Sequence, residues 1–199
     1  MPPHQATGPV LFSSDMSARC TGRVFGSVAG GAASGSATAD LTGYRVIMNG
    51  PDDFGAGPDV ADYPVAKSPD NVRGEVDAEE VRGSDKVLVG FECRVQFDTR
   101  GRVVGGYRLL IARSGGYLIE RFGESPQVLT SGTSTTTLGS SNHIMAECLG
   151  NKLALSVNGK EVASVQDSAI STGLIGIYAH VLDATAAELV FKNFVVTGP

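Results

Sequence analysis

"KVLVGFECRVQF", residues 86–97, alternates in hydropathy with a period of two. On a strand that period puts Val87, Val89, Phe91, Cys93, Val95 and Phe97 on one apolar face. The same signature recurs on both sides. "VRGEVDAEEV" (72–81) alternates, and "GYRVIMNG" (43–50) reads as a short strand. "GYRLLIA" (106–112) and "GYLIERF" (116–122) are joined by "RSGG", a hairpin signal. "HIMAEC" (143–148) sets Ile144, Ala146 and Cys148 on one face, and "KLALSV" (152–157) does so for Leu153, Leu155 and Val157. Asn158-Gly159 then marks a tight hairpin into "KEVASVQ". "GLIGIYAHVL" (173–182) and "AELVFKNFVV" (187–196) close the chain. No 3.6-residue period competes, and the pattern predicts an all-β fold of roughly ten to twelve strands in two packed antiparallel sheets.

The bulk numbers suit this reading. The 199 residues are 42% hydrophobic and 19% charged, enough for a sizeable core, and 26 glycines favour a turn-rich β protein. Residues 1–8 read as a disordered or boundary-derived N-terminus and 9–199 as a single β-sandwich domain. A net charge of −5 argues against a nucleic-acid partner, which needs a basic surface for phosphates. No run of 18 apolar residues is present to span a membrane. "MPPHQATGPV" (1–10) shows no signal-peptide pattern, and the start is read as a boundary within a longer chain.

Two early segments are less regular. "GRVFGSVAGGAASGSATAD" (22–40) is rich in small residues and reads as a loop or weak edge strand, without the Gly-Lys-Ser/Thr of a phosphate loop. "GPDDFGAGPDVADYPVAKSPDN" (50–71) is a long connection, a length often associated with function or mobility. Its Asp52, Asp53, Asp59 and Asp62 offer oxygen ligands for a structural calcium ion, but their spacing matches no EF-hand loop. No cofactor is otherwise expected.

The C-terminal residues carry a resemblance. Ala146-Glu147-Cys148-Leu149-Gly150, then Leu153, Leu155 and Val157-Asn158-Gly159, then Asp167, Gly173, Gly176, Ile177, Phe191, Asn193, Phe194 and Val195 resemble the pattern of concanavalin A-like (laminin G-like) jelly-roll domains of bacterial extracytoplasmic proteins. Such domains accompany serine/threonine kinases and surface proteins. "GFECRV" (90–95) and "GGYRLLIARSGGYLIERF" (105–122) resemble further strands of the same domains, so the likeness runs from about residue 72 to the end. Two positions depart from the pattern: Lys192 stands where an Asp is usual, which speaks against a metal there, and the Asn-x-Leu position reads Asn142-His143-Ile144.

The resemblance implies a disulfide between Cys93 and Cys148. Both fall on the inward phase of their strands, which suits a bond and equally suits two buried thiols. Cys20 is left free or paired with something outside the chain.

Chemistry is sparse. Glu75, Asp77 and Glu79, two apart on one strand face, match the Glu-x-Asp-x-Glu string of jelly-roll glycanases, in which two carboxyls act as nucleophile and acid/base. Against catalysis stand the absence of Trp, the polar neighbours Glu80 and Arg82, and the similar strand in non-catalytic relatives of the fold. The expectation is a solvated strand face. His143 and His180 fall on outward phases and read as surface histidines. No Gly-x-Ser-x-Gly elbow, Cys-x-x-Cys pair or His-x-x-x-His pair is present. For binding, the hairpin 106–122 is the richest stretch: Arg94, Tyr107, Arg108, Tyr117 and Arg121, with Glu120, supply aromatic faces and planar donors of the kind sugars need.

The reading is therefore a non-catalytic, extracytoplasmic recognition or sensor module of a larger bacterial protein, its partner a glycan or cell-surface ligand. The alternatives are a glycoside hydrolase using Glu75, Asp77 and Glu79, and a structural module that docks a protein partner.

Overall fold

A computed structural model describes residues 8–17, 36–49, 52–56, 70–183 and 186–199. The expectations for residues 1–7, for Cys20, for most of the small-residue segment and for Asp59 and Asp62 fall outside these residues, as do the side chains of Asp52 and Glu80. The described chain is all-β. Its strands are β1 (Val10–Ser14), β2 (Ser36–Asp40), β3 (Gly43–Asn49), β4 (Asp52–Ala56), β5 (Val72–Arg82), β6 (Val87–Phe97) and β7 (Val103–Ala112), followed by β8 (Gly116–Gly123), β9 (Gln127–Thr133), β10 (Ser141–Leu149), β11 (Lys152–Val157), β12 (Lys160–Gln166), β13 (Leu174–Val181) and β14 (Ala186–Thr197).

They form two antiparallel sheets. The eight-stranded sheet runs β12-β11-β10-β5-β14-β3-β2, with β1 also paired to β14. The six-stranded sheet runs β4-β13-β6-β7-β8-β9. Their inner faces meet in one apolar core, in which Val76, Ile144, Phe191 and Phe194 from the larger sheet share a cluster with Phe91, Leu109, Ile119 and Ile177 from the smaller. The Phe91 and Phe194 rings touch across the interlayer with centroids 6.2 Å apart, within the range where tilted rings attract.

Local chemistry explains the irregular points. Asn158 and Gly159 both take positive φ, 52° and 79°, the two-residue hairpin that the Asn-Gly pair predicts. In β14, Phe191 and Phe194 are three apart, so strict alternation would send one of them to solvent. A bulge at Asn193, φ 51°, shifts the register against β5 and turns both rings inward, with 0% exposed. A second bulge corrects the reading of 86–97. The alternation holds from Val87 to Cys93, then Arg94 adopts φ 52° and the pairing with β7 slips. Val95 remains buried, but Phe97 is 41% exposed and leaves the predicted apolar face.

Cys93 on β6 and Cys148 on β10 are disulfide-bonded across the two sheets, with a sequence separation of 55. In the chain-entropy model a loop of that length contributes about 4 kcal/mol by restricting the unfolded chain.

Candidate functional site

On the outer face of the larger sheet, Glu75, Asp77 and Glu79 do share one side of β5, but they do not form a solvated triad. His143 on β10 lies opposite Asp77 in register, and its ring reaches two carboxylates: Nδ1 stands 2.9 Å from Asp77 and Nε2 3.2 Å from Glu75. Glu75 is only 6% exposed. Lys192 Nζ donates to Glu79 at 2.8 Å, and Asn193 Nδ2 donates to Asp77 at 2.7 Å. The hydrogen bond with Glu75, joined by the bond and charge of Asp77, outweighs desolvation and raises the His143 pKa to about 9, so the ring is an imidazolium at neutral pH. His143 is thus a strut between two strands rather than a solvated surface histidine. The same face is laced by Arg45 to Glu188 and by Arg73 to Glu147. Lys192 thus supplies a cation to this face.

Arg94, Tyr107 and Tyr117 do not line an outer face. Tyr107 shares the inward phase of Leu109 and Ile111 and is fully buried; its hydroxyl donates to Asp167 at 2.5 Å and accepts from the Ile170 amide at 2.9 Å. Tyr117, paired with Ile111, is half-buried against the core. Arg94 is 1% exposed because its bulge aims it into the end of the sandwich. There its guanidinium donates to three carbonyls on three separate turns: Ile170 at 2.9 Å, Asp70 at 3.0 Å and Gly150 at 2.6 Å. Burial lowers the Arg94 pKa, although nearby Tyr107, Asp70 and Asp167 oppose that shift. Gly173, with φ 148°, passes so close that a Cβ there would stand 2.3 Å from the Arg94 carbonyl carbon, so this site tolerates no side chain.

The outer face of the six-stranded sheet is different in kind. Arg108, on β7, sits directly opposite Glu92 of β6 and Glu120 of β8. Its Nε donates to Glu92 at 2.9 Å and its Nη1 to Glu120 at 3.4 Å. Its guanidinium also lies 4.3 Å from the centroids of both the Phe122 and Tyr178 rings. A cation held between two rings is stabilised by both π faces and fixed in orientation. Burial works against the Arg108 charge, but Tyr178, Glu92 and Glu120 outweigh it and raise its pKa. Burial raises the Glu92 pKa in spite of Arg108, with Asp53 and Glu120 adding to the rise. Beside them, Tyr178 Oη donates to Asp53 at 2.6 Å, and His180 Nδ1 also meets Asp53. Burial and the bond to Asp53 push the Tyr178 phenol well above its ordinary pKa. Burial likewise tends to raise the Asp53 pKa, but the His180 and Tyr178 bonds prevail and hold it below the usual range. Leu88, Leu110, Ala112 and Tyr178 form a small apolar cluster separate from the main core.

Past Phe122, an open groove of about 570 Å³ is lined by Gln96, Val104, Gly105, Arg121, Glu124, Ser125 and Ile170 along with Phe122 itself. Arg121 is held there by Asp167, 3.0 Å from Nη1, and by Gln127, 2.8 Å from Nη2. Of the residues predicted to contact ligand, only Arg108 therefore stands on the outer face; Arg121, paired with Tyr107, lies on the inward phase of β8 and reaches the groove at the end of the sandwich. Glu92, Phe122, Tyr178, Asp53 and His180 were not among them. Glu92 was legible from the period-two phase opposite Phe91 and Cys93, and Tyr178 and His180 from the phase opposite Ile177 and Ala179. Their meeting on one face was not, since it depends on the pairing order β4-β13-β6-β7-β8.

No protein-family model matches the sequence, and no characterised protein matches it by sequence. Solved structures match it by fold. A galectin-like protein of unknown function from Bacillus subtilis superposes with a TM-score of 0.69 at 10% identity, covering 96% of both chains. The carbohydrate-binding module CBM66 from Bacillus subtilis gives 0.63 at 15% identity, covering 88% of this chain and 96% of the other. The Emp47p carbohydrate recognition domain gives 0.55 at 15% identity, covering 98% of both. An alginate lyase, A1-II′, shares the fold at a TM-score of 0.51 and 12% identity, with 82% of this chain and 83% of the other covered. At these identities the likeness establishes the jelly-roll, galectin-like sandwich and nothing finer.

Proposed function

We propose that the protein is a non-catalytic, extracytoplasmic glycan-recognition module that binds its ligand on the outer face of the six-stranded sheet. The observation that carries this reading is Arg108, fixed between the Phe122 and Tyr178 rings and flanked by Glu92 and Glu120. Sugar recognition calls for planar hydrogen-bonding groups set in a rigid frame beside aromatic carbon, so that little ordering entropy is lost on binding. The sandwich fold of a carbohydrate-binding module and of a carbohydrate recognition domain is consistent with this role. The inter-sheet disulfide suits an oxidising compartment outside the cytoplasm. The concanavalin A-like, laminin G-like kinship remains part of this proposal, as does the single-domain reading of 9–199.

The hydrolase alternative is weaker on this geometry. Glu75 is buried against an imidazolium and Glu79 is tied to Lys192, so neither stands open as nucleophile or acid. On the other face Tyr178 has its phenol proton bound to Asp53 and its pKa raised, a poor general base.

Calorimetric titration with an oligosaccharide panel tests the proposal. Saturable binding by the native protein, lost in Arg108→Ala and retained in Glu75→Gln, is expected. Binding that survives Arg108→Ala unchanged, or polysaccharide cleavage abolished by Glu75→Gln, overturns it.

A further inference from the structure

Resting on the recognition reading, we propose that the groove beyond Phe122 is a dedicated subsite for an uncharged sugar unit, and that it sets the ligand class as neutral rather than uronic or sialic saccharides.

The groove has a built frame. Ile170, one of its walls, is tied by both backbone groups: its amide donates to Tyr107 Oη at 2.9 Å and its carbonyl accepts from Arg94 Nη1 at 2.9 Å. Both anchors are fully buried, so the wall cannot drift without breaking core hydrogen bonds. Arg94 and Tyr107 are thus positioning residues of the groove, not contacts in it. Opposite, Arg121 is locked onto Asp167, whose carboxylate also accepts from Tyr107 and from the Ala169 amide.

Gly105 lines the groove without a side chain: a Cβ there would come 3.1 Å from the Phe122 carbonyl oxygen and reach contact, 3.9 Å, with Ile170 Cδ1, so a larger side chain would intrude between the two. The volume of about 570 Å³ leaves room for more than one sugar ring. Val104, 45% exposed, adds carbon surface to Phe122 and Ile170, while Gln96 and Ser125 add neutral donors and acceptors. That mixture suits the CH and OH faces of a sugar ring.

Charge decides the class. The Arg121 cation is already compensated by Asp167, and Glu124 adds a carboxylate to the lining. Next door, Glu92 and Glu120 outnumber Arg108. A carboxylated sugar would have to displace Asp167 to pair with Arg121, while the exposed Glu124 adds like charge at the rim, so the groove offers an acid no uncompensated cation. A neutral sugar meets no such penalty.

The test compares maltotriose, cellotriose and chitotriose with trigalacturonate and sialyllactose by calorimetry, using native protein, Gly105→Val and Arg108→Ala. At least one neutral trisaccharide is expected to bind at least tenfold more tightly than either acidic ligand. Gly105→Val is expected to weaken that binding at least tenfold while its circular dichroism stays native. In the native protein the Ile170 methyl resonances should shift on titration, a readout independent of any variant's folding. Acidic ligands that bind as well as neutral ones overturn the class. Neutral binding that is lost in Arg108→Ala but leaves Gly105→Val and the Ile170 methyls unaffected overturns the groove and spares the recognition reading. No binding by any of the five ligands overturns both.

Discussion

The two outer faces of this sandwich use similar residues to opposite ends. On the eight-stranded sheet each described carboxylate of β5 meets a basic group from a neighbouring strand: Glu75 and Asp77 meet His143, and Glu79 meets Lys192. These are cross-strand pairs, which stabilise a sheet by tenths of a kcal/mol up to about 1 kcal/mol each. On the six-stranded sheet one arginine is shared between two carboxylates and two rings, and a groove opens beside it. The string that looked catalytic became a structural ladder, and the less regular set became the candidate site. The difference lies in what borders the charges. Pairing along strands closes a surface, whereas rings and glycines leave shape for a ligand.

The comparison can be tested first at what both faces share. Arg94 holds three turns at one end of the sandwich, so Arg94→Met leaves three carbonyls without their donor. A loss of roughly 3–5 kcal/mol is expected in urea denaturation, damaging both faces together. A loss below about 1 kcal/mol would show that the turns hold without it.

Next is the bond between the sheets. Replacing Cys93 and Cys148 together by Ala is expected to cost about 2–5 kcal/mol, and the unreduced native protein should show no alkylatable thiol at either position. Two free thiols would remove both the bond and the argument for an oxidising compartment.

The third experiment separates the faces. Arg108→Ala should lower saccharide affinity tenfold or more, at least about 1.4 kcal/mol, while Glu75→Gln leaves affinity unchanged. Equal effects from the two variants would erase the distinction drawn here.

The smallest effect is on the ladder. The folded His143 pKa, about 9, lies above its ordinary value of 6.5. The native state therefore binds the proton more tightly, and its stabilisation is complete below pH 6.5 and lost as pH rises through 9. With the side chain 36% exposed, solvent screening keeps this to about 1 kcal/mol. Stability measured from pH 6 to 10 should fall across that window, and the fall should shrink in His143→Ala.

Much of the architecture was legible because strand alternation records which side of a sheet is buried. The cores of β6, β7, β10 and β11, the Asn158-Gly159 hairpin and the inward cysteines all follow from local pattern and turn chemistry. Tyr107 could have been placed correctly too, since it shares the phase of Leu109 and Ile111. Arg94 could not. A buried arginine on a bulge breaks the alternation, and its three acceptors come from turns 24 to 76 residues away.

The sequence by itself determined the all-β class, the inward and outward phase of most strands and the residue types available for chemistry, because these depend on near neighbours and on the two-residue period of extended chain. Tertiary structure alone decided which outward residues meet. His143 reaches Glu75 from 68 residues away, and the rings of Phe122 and Tyr178 enclose Arg108 because β13, β6, β7 and β8 lie side by side. Strand order and the bulges that shift register are global outcomes of packing two sheets around one core, and no local pattern encodes them.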